Sequence, residues 1–120
     1  GLARFVTYRK AVARAGAVGV DAVAKAHQAA MEQSGLTVAE LSNLRPICAD
    51  FEGRRATAKE LLARREGQDA EVSERIDAQR AVLLDDLPLR RRYGDETVDL
   101  LLEREAELLA LHAGGFGWGN

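Results

Sequence analysis

Apolar residues recur three and four positions apart along most of this chain, which is the spacing of one face of an amphipathic helix. No stretch shows sustained alternation of apolar and polar residues. Neither Asn-Gly nor Asp-Gly, the dipeptides typical of tight hairpins, occurs in the sequence. The helical pattern divides into about four segments joined by short connections. We therefore predict an all-α fold, an antiparallel up-and-down bundle of about four helices.

The first predicted helix spans about residues 3–33. Its apolar face begins at Phe5 and ends at Ala30, and it narrows from aromatic side chains to glycine and alanine. Because this face stays in phase across residues 16–19, we favour one continuous or kinked helix. The alternative is a break at these glycines, after which Asp21 caps a new helix.

The second predicted helix begins with a capping box. Thr37 and Glu40 have the spacing at which the hydroxyl caps a backbone amide and the glutamate reaches back. The helical pattern continues to about residue 66. Pro46 lies inside this span, where it cannot donate a backbone hydrogen bond and its ring crowds the preceding turn. We therefore expect a kink or an interruption at Pro46.

The last two predicted helices lie on either side of an irregular corner. They span about residues 70–87 and 96–113. In the corner, we expect Pro88 to start a short turn, Gly94 to end it and Asp95 to cap the last helix.

One domain accounts for the whole helical pattern. We assign residues 1–113 to this domain and residues 114–120, which include four glycines, to a flexible C-terminal tail. A chain of 120 residues is long enough to bury a core without disulfides. The net charge of −2 gives no general attraction to nucleic acid or to anionic membranes. The single cysteine, Cys48, excludes an internal disulfide and a cysteine-based zinc site.

The compartment is left open by the sequence. No apolar run approaches the roughly 18 residues that span a bilayer, so no transmembrane segment is predicted. The sequence starts with Gly rather than Met, which is consistent with trimming or with removal of a leader. The expectation is a soluble protein, either cytoplasmic or exported after removal of a leader.

Two charged residues of opposite sign fall on apolar helix faces. Glu105 lies among the leucines of the last helix, and Arg55 lies among apolar residues of the second. A buried charge is costly unless it is paired, and the planar guanidinium suits a carboxylate. We predict that Glu105 pairs with Arg55 first and Arg80 second, and that Gln79 completes a structural core network. The alternative is that these side chains extend to solvent at a helix crossing.

A ligand or metal site is the competing interpretation of the polar residues on the last helix. His112 shares the face of Glu105 but stands about 10.5 Å further along the axis, whereas two ligands of one metal are usually three or four residues apart. With His27 of the first helix, these residues form a candidate ligand or metal site. His112 also suits a capping or packing role, because a cation interacts favourably with a helix C-terminus. No metal and no cofactor is predicted.

The one basic run is a candidate nucleic-acid contact. Arg90, Arg91 and Arg92 precede Tyr93, and arginines beside an aromatic ring can hold phosphate or stack on bases. Acidic residues flank the run closely on both sides and reduce the local field. We therefore interpret it as a solvated corner and do not expect a nucleic-acid partner.

These observations favour a non-enzymatic helical-bundle domain with a structural or protein-interaction role, because no catalytic constellation is visible. The expected partners are a second copy of the chain or another protein. The alternative is a small-ligand- or metal-binding bundle that uses Glu105, His112 and Arg55.

Overall fold

The computed structural model describes residues 1–114 as an all-α helical bundle, and no strand occurs in this part of the chain. The predicted all-α helical bundle is confirmed, although the division into about four helices is too coarse. The helical segments of residues 1–114 are α1 (Leu2–Ala15), α2 (Val20–Ser34), α3 (Val38–Arg65), α4 (Ala70–Leu84), α5 (Leu87–Tyr93), α6 (Asp95–Glu103) and α7 (Glu105–Ala113). The predicted tail, residues 114–120, lies outside the described residues except for Gly114.

The first predicted helix is two helices, so the expectation of a continuous or kinked helix is wrong. Gly16 ends α1 with a φ of 53° and Gly19 begins α2 with a φ of 94°. Both values lie in the region that glycine adopts readily and other residues adopt rarely. The chain therefore reverses between α1 and α2, and the α2 cap is Gly19 rather than Asp21, which lies within the first turn.

The capping box of α3 is confirmed. The Glu40 amide donates to Thr37 Oγ1 over 3.1 Å, and the Thr37 amide donates to Glu40 Oε1 over 3.1 Å. The helix then continues through Pro46 to Arg65 without interruption. An interruption at Pro46 was one expected outcome and does not occur, because apolar residues on both sides of the proline, Leu44 and Ile47, pack in the same core.

The corner after α4 contains a further short helix. α4 ends at Leu84, and α5 begins at Leu87 with Pro88 in its first turn, where a missing amide hydrogen costs nothing. Gly94, with a φ of 92°, ends α5 and caps α6, so the expected side-chain cap by Asp95 is wrong. Arg104 separates α6 from α7 in the region predicted as one helix.

The core lies where α1, the first half of α3, α6 and α7 meet. Its fully buried members include Phe5, Phe51, Val98, Leu101 and Leu108. Residues of α2 and α5 cover its sides. Leu111, which the helical wheel places away from the main face of α7, is also buried in this core. The chain itself therefore covers this side chain.

A helical arm extends from this core. We call residues 56–84, the second half of α3 together with α4, the arm. α4 makes its extensive contacts with α3, and the buried apolar residues of the arm, Ala58 and Ile76, are separate from the core cluster. The molecule measures 51 × 32 × 19 Å, which reflects this elongated shape.

Candidate functional site

Arg55 and Glu105 meet at the edge of the bundle. Arg55 Nε lies 3.5 Å from Glu105 Oε1, while Arg55 Nη2 donates to Asp86 Oδ1 over a shorter distance of 2.7 Å. The Arg55 guanidinium also lies over the Phe51 ring, with 5.2 Å between Cζ and the ring centroid. The side chain of Arg55 is 13% exposed and that of Glu105 is 39% exposed. Glu105 is therefore a solvated partner at the start of α7 rather than a core carboxylate.

The other two members of the predicted network lie elsewhere. Arg80 Nε donates to the Ala58 carbonyl over 2.9 Å, which ties α4 to α3 within the arm. Gln79 is exposed on α4. The structure does not bring either residue to Glu105, because α4 packs on the part of α3 that lies beyond the core.

The charged pair that lies inside the core is Arg9 with Glu52. Arg9 Nη1 donates to Glu52 Oε2 over 2.6 Å, and Arg9 Nη2 donates to Glu52 Oε1 over 3.0 Å. Both side chains are fully buried. The two parallel hydrogen bonds join α1 to α3 in the bidentate geometry that best offsets the cost of removing both charges from water.

Sequence reasoning missed this pair although the chain carries a signal for it. Arg9 stands four residues after Phe5 and one after Tyr8 on α1. Glu52 stands four residues after Cys48 and one after Phe51 on α3. Each charge thus occupies the same position relative to an apolar stripe, the arginine on α1 and the glutamate on α3. A comparison of the two wheels at the stripe margins, rather than at their centres, would have found it.

His112 approaches the same carboxylate from α7. Its Nδ1 lies 3.5 Å from Glu52 Oε1, so the imidazole, Glu52 and Arg9 bring three helices together at one point. The histidine belongs to the last turn of α7, where its charged form also interacts favourably with the helix terminus.

His27 lies against α1 instead. The Tyr8 hydroxyl and His27 Nδ1 share a hydrogen bond of 2.6 Å, and the two rings meet edge to face at 5.4 Å. Burial is the main cause that raises the pKa of Tyr8 above its usual value, and the positive charge of Arg45 opposes it. The tyrosine therefore stays neutral as a hydrogen-bonding group.

The candidate metal ligands have different neighbours in this structure. Glu105 contacts Arg55, His112 approaches Glu52, and His27 bonds to Tyr8. No group of three histidine, cysteine or carboxylate side chains within residues 1–114 is arranged to hold a metal ion.

The basic corner is largely occupied by internal contacts. Arg90 Nη2 donates to Asp99 Oδ1 over 2.8 Å, and its Nη1 lies 3.2 Å from Asp95 Oδ1. The Arg92 guanidinium stacks over Tyr93 at 5.4 Å, and the tyrosine hydroxyl in turn donates to an acidic residue of α3. Arg91 points into solvent without an ion pair within residues 1–114.

The arm carries a shallow surface hollow of about 430 Å³. Its lining belongs to the last turns of α3 and consists of Lys59, Leu62, Ala63, Arg65 and Glu66. The hollow is far from the Arg9–Glu52 pair, which packs against core side chains.

Comparisons of this chain with family models, with curated proteins and with solved structures found no match. Across residues 1–114, no helix is long and apolar enough to cross a membrane.

Proposed function

We propose that this chain is a non-enzymatic helical-bundle domain that acts through protein contacts, and that the arm is its contacting element. The observation that carries the proposal is Leu62, an exposed apolar side chain that lines a surface hollow of the arm, together with the incomplete packing of α4. This 15-residue helix has one buried residue, Ile76, within the described chain. Helices in proteins gain most of their stability by packing an apolar face. A helix that packs against one neighbour on one side therefore gains stability when a partner binds to its other side.

Exposed apolar side chains on both helices of the arm support the same proposal. Leu62 of α3 is 48% exposed and Val82 of α4 is 68% exposed. Leu62 lines the surface hollow, where an aliphatic side chain of a partner would remove its surface from water.

The polar residues of the bundle support a structural rather than a chemical role. Arg9 and Glu52 bond to each other, and Arg55 is held by Asp86. The residues of the ligand- or metal-binding alternative do not converge on one point, so we base no proposal on it.

Site-specific photo-crosslinking in cells that produce the protein tests this function. A photoreactive residue at Leu62 reports contacts of the arm, and the same residue at Glu103, which is exposed on the core helix α6, is the matched control. We expect discrete adducts larger than the chain from position 62 and not from position 103. Adducts of equal yield at both positions, or none at either, would contradict a contact role of the arm.

A further inference from the structure

The hydrogen bond between Tyr8 and His27 joins a buried residue to an exposed one. Tyr8 is 6% exposed on α1, whereas His27 is exposed on α2. Their bond of 2.6 Å uses the hydroxyl of Tyr8 and Nδ1 of His27. The second ring nitrogen of His27, Nε2, forms no hydrogen bond within residues 1–114 and is therefore available to a ligand.

The Tyr8 hydroxyl determines which hydrogen atom His27 presents. Burial raises the pKa of Tyr8, so the hydroxyl keeps its proton and can donate it to Nδ1 of His27. A neutral imidazole that accepts at Nδ1 carries its own hydrogen on Nε2. Nε2 is therefore a hydrogen-bond donor, and the buried tyrosine holds the ring that carries it.

A guanidinium group acts on the same hydroxyl from α3. Arg4 and Arg9 of α1 each bond to a glutamate of α3, one before and one after Arg45 in the chain. These two pairs align α1 with α3 and place Arg45 alongside Tyr8. The positive charge of Arg45 lowers the pKa of Tyr8 against the larger effect of burial, because the guanidinium lies close to the hydroxyl. Arg45 and His27 thus approach Tyr8 from two different helices.

No carboxylate within residues 1–114 is paired with Arg45 or His27. Arg45 is exposed and forms no ion pair or hydrogen bond in this part of the chain. The two acidic residues five positions from it on α3, Glu40 and Asp50, accept hydrogen bonds from other residues. The acidic residues of α2, at positions 21 and 32, are six and five residues from His27 and lie on other sides of that helix.

We propose that Arg45 and His27 bind the phosphate group of a small molecule, with Tyr8 as a positioning residue that holds the imidazole. The site lies on the bundle and is independent of the contact role of the arm. It also differs from the ligand- or metal-binding alternative, with which it shares only His27.

The groups of the site favour a phosphate over other ligands. Both side chains offer hydrogen-bond donors and the guanidinium adds a positive charge, so the ligand must supply acceptor oxygens and negative charge. Arginine donates two parallel N–H groups to two oxygens of a phosphate. A tetrahedral phosphate keeps a further oxygen for Nε2 of His27, whereas a carboxylate has two oxygens and the guanidinium engages both.

Nuclear magnetic resonance of the full chain tests the site with inorganic phosphate, with glycerol 3-phosphate and with acetate, at constant pH and ionic strength. We expect both phosphates to cause saturable shifts of the His27 ring signals and of the amides around Arg45. Acetate should bind about tenfold more weakly or less. The ring of His112, the other histidine of the chain, lies against Glu52 and should keep its signals unchanged.

Two matched arginine variants separate the site from general attraction to positive charge. Arg45→Gln should raise the dissociation constants of both phosphates about tenfold or more, because it removes the charged fork. Arg91→Gln removes an exposed arginine of α5 that also forms no ion pair within residues 1–114, and it should leave these constants unchanged. Because both positions are exposed, both variants should keep the wild-type amide spectrum elsewhere.

Tyr8→Phe tests the positioning role of the tyrosine. This variant keeps the buried ring but removes the hydroxyl, so the hydrogen of the neutral His27 imidazole can lie on either nitrogen. The ¹⁵N shifts of the ring should lose their preference for hydrogen on Nε2, and the dissociation constants should rise about threefold. Unchanged ring shifts and affinity would exclude positioning by Tyr8.

The contradicting results follow from the same titrations. The absence of saturable shifts, shifts that Arg45→Gln does not weaken, or equal affinity for acetate overturns the proposal. Binding of inorganic phosphate without binding of glycerol 3-phosphate shows an adventitious ion only and overturns it as well. Sedimentation of the protein with phosphatidic acid vesicles, without binding of glycerol 3-phosphate, would assign the phosphate to a lipid and exclude a small molecule.

Discussion

The core and the arm hold their helices together by different means. In the core, buried residues from six helices form one apolar cluster, and a buried arginine–glutamate pair joins α1 to α3. In the arm, two helices share Ala58 and Ile76, and a solvent-exposed arginine–aspartate pair joins them. Both regions thus contain one inter-helix bidentate ion pair, but the surroundings of that pair differ. The core pair is thus shielded from water on all sides, whereas the pair of the arm is solvated.

The largest expected effect is the difference in the free energy of unfolding that is lost when each of the two ion pairs is broken. Arg9→Met leaves the Glu52 carboxylate buried without its bidentate partner, which should lower the free energy of unfolding by about 3–5 kcal/mol. Arg65→Met removes the equivalent arginine from the arm, where water solvates Asp77, and should cost less than about 1 kcal/mol. Urea unfolding measures both values.

A double variant checks the cause of the first effect. Arg9→Met combined with Glu52→Leu removes both charges and should recover most of the lost stability, because an apolar pair can replace a buried ion pair. Equal losses for Arg9→Met and Arg65→Met would show that burial does not distinguish the two pairs.

Truncation of a buried apolar side chain in each region should next distinguish unfolding of the whole protein from unfolding of the arm alone. Ile76→Ala takes away the buried isoleucine of α4 and should cost about 2 kcal/mol, at the lower end for such changes because the arm can adjust around it. The loss should be confined to amide hydrogen-exchange protection in the arm. Phe51→Ala should instead lower protection throughout residues 1–114. Uniform loss in the Ile76 variant would mean that core and arm unfold as one unit.

Removal of a helix cap in each region should have a smaller effect on stability. Thr37 caps α3 at the core and Asp69 caps α4 at the arm, each by accepting a backbone hydrogen bond. Replacement of either residue by alanine should cost about 1 kcal/mol. We expect Thr37→Ala to shift the midpoint of thermal unfolding of the whole protein. Asp69→Ala should mainly raise exchange of the first amides of α4, and the opposite assignment would argue against an independent arm.

The prediction with the smallest energetic effect compares how readily a disulfide reagent reaches a thiol in the core and a thiol on the arm. Burial is the main cause that raises the pKa of the Cys48 thiol to about 12, and the nearby Glu52 carboxylate adds to it. The thiol therefore stays protonated up to pH values near 12, and a disulfide reagent at pH 8 should not modify the folded protein. Leu62→Cys places a second thiol on the exposed arm, where the same reagent should react within minutes while Cys48 stays protected. Rapid reaction of Cys48 would show that the core opens frequently.

Local signals in the sequence were sufficient to predict the helical class and several helix ends. The Thr37–Glu40 box fixed the start of α3, because both hydrogen bonds are formed between residues three apart. The reversal at Gly16 and Gly19 was the less favoured of two interpretations, because an apolar face can stay in phase across a break, and the backbone angles decide between them. Helical periodicity describes which residues share a side, but it does not require the helix to continue.

The buried pair was harder to predict than the helices. A charged residue beside an apolar stripe can extend to water or turn inward, and the crossing of a second helix decides between these outcomes. Arg55 extends far enough from the centre of its stripe to reach Asp86 and Glu105 at the bundle edge. Arg9, at the margin of its stripe, is enclosed because α3 crosses directly over it.

The connection between Lys10 and Glu107 has a consequence for the order of folding. Their side chains bond over 2.7 Å although 97 positions separate them, so α7 reaches the core after nearly the whole described chain has been synthesised. The arm consists of neighbouring segments and closes a short loop, which is fast, whereas the core must close a long one. During synthesis the arm can therefore form first, while Glu52 and the apolar face of α3 stay exposed until α7 has been synthesised and covers them.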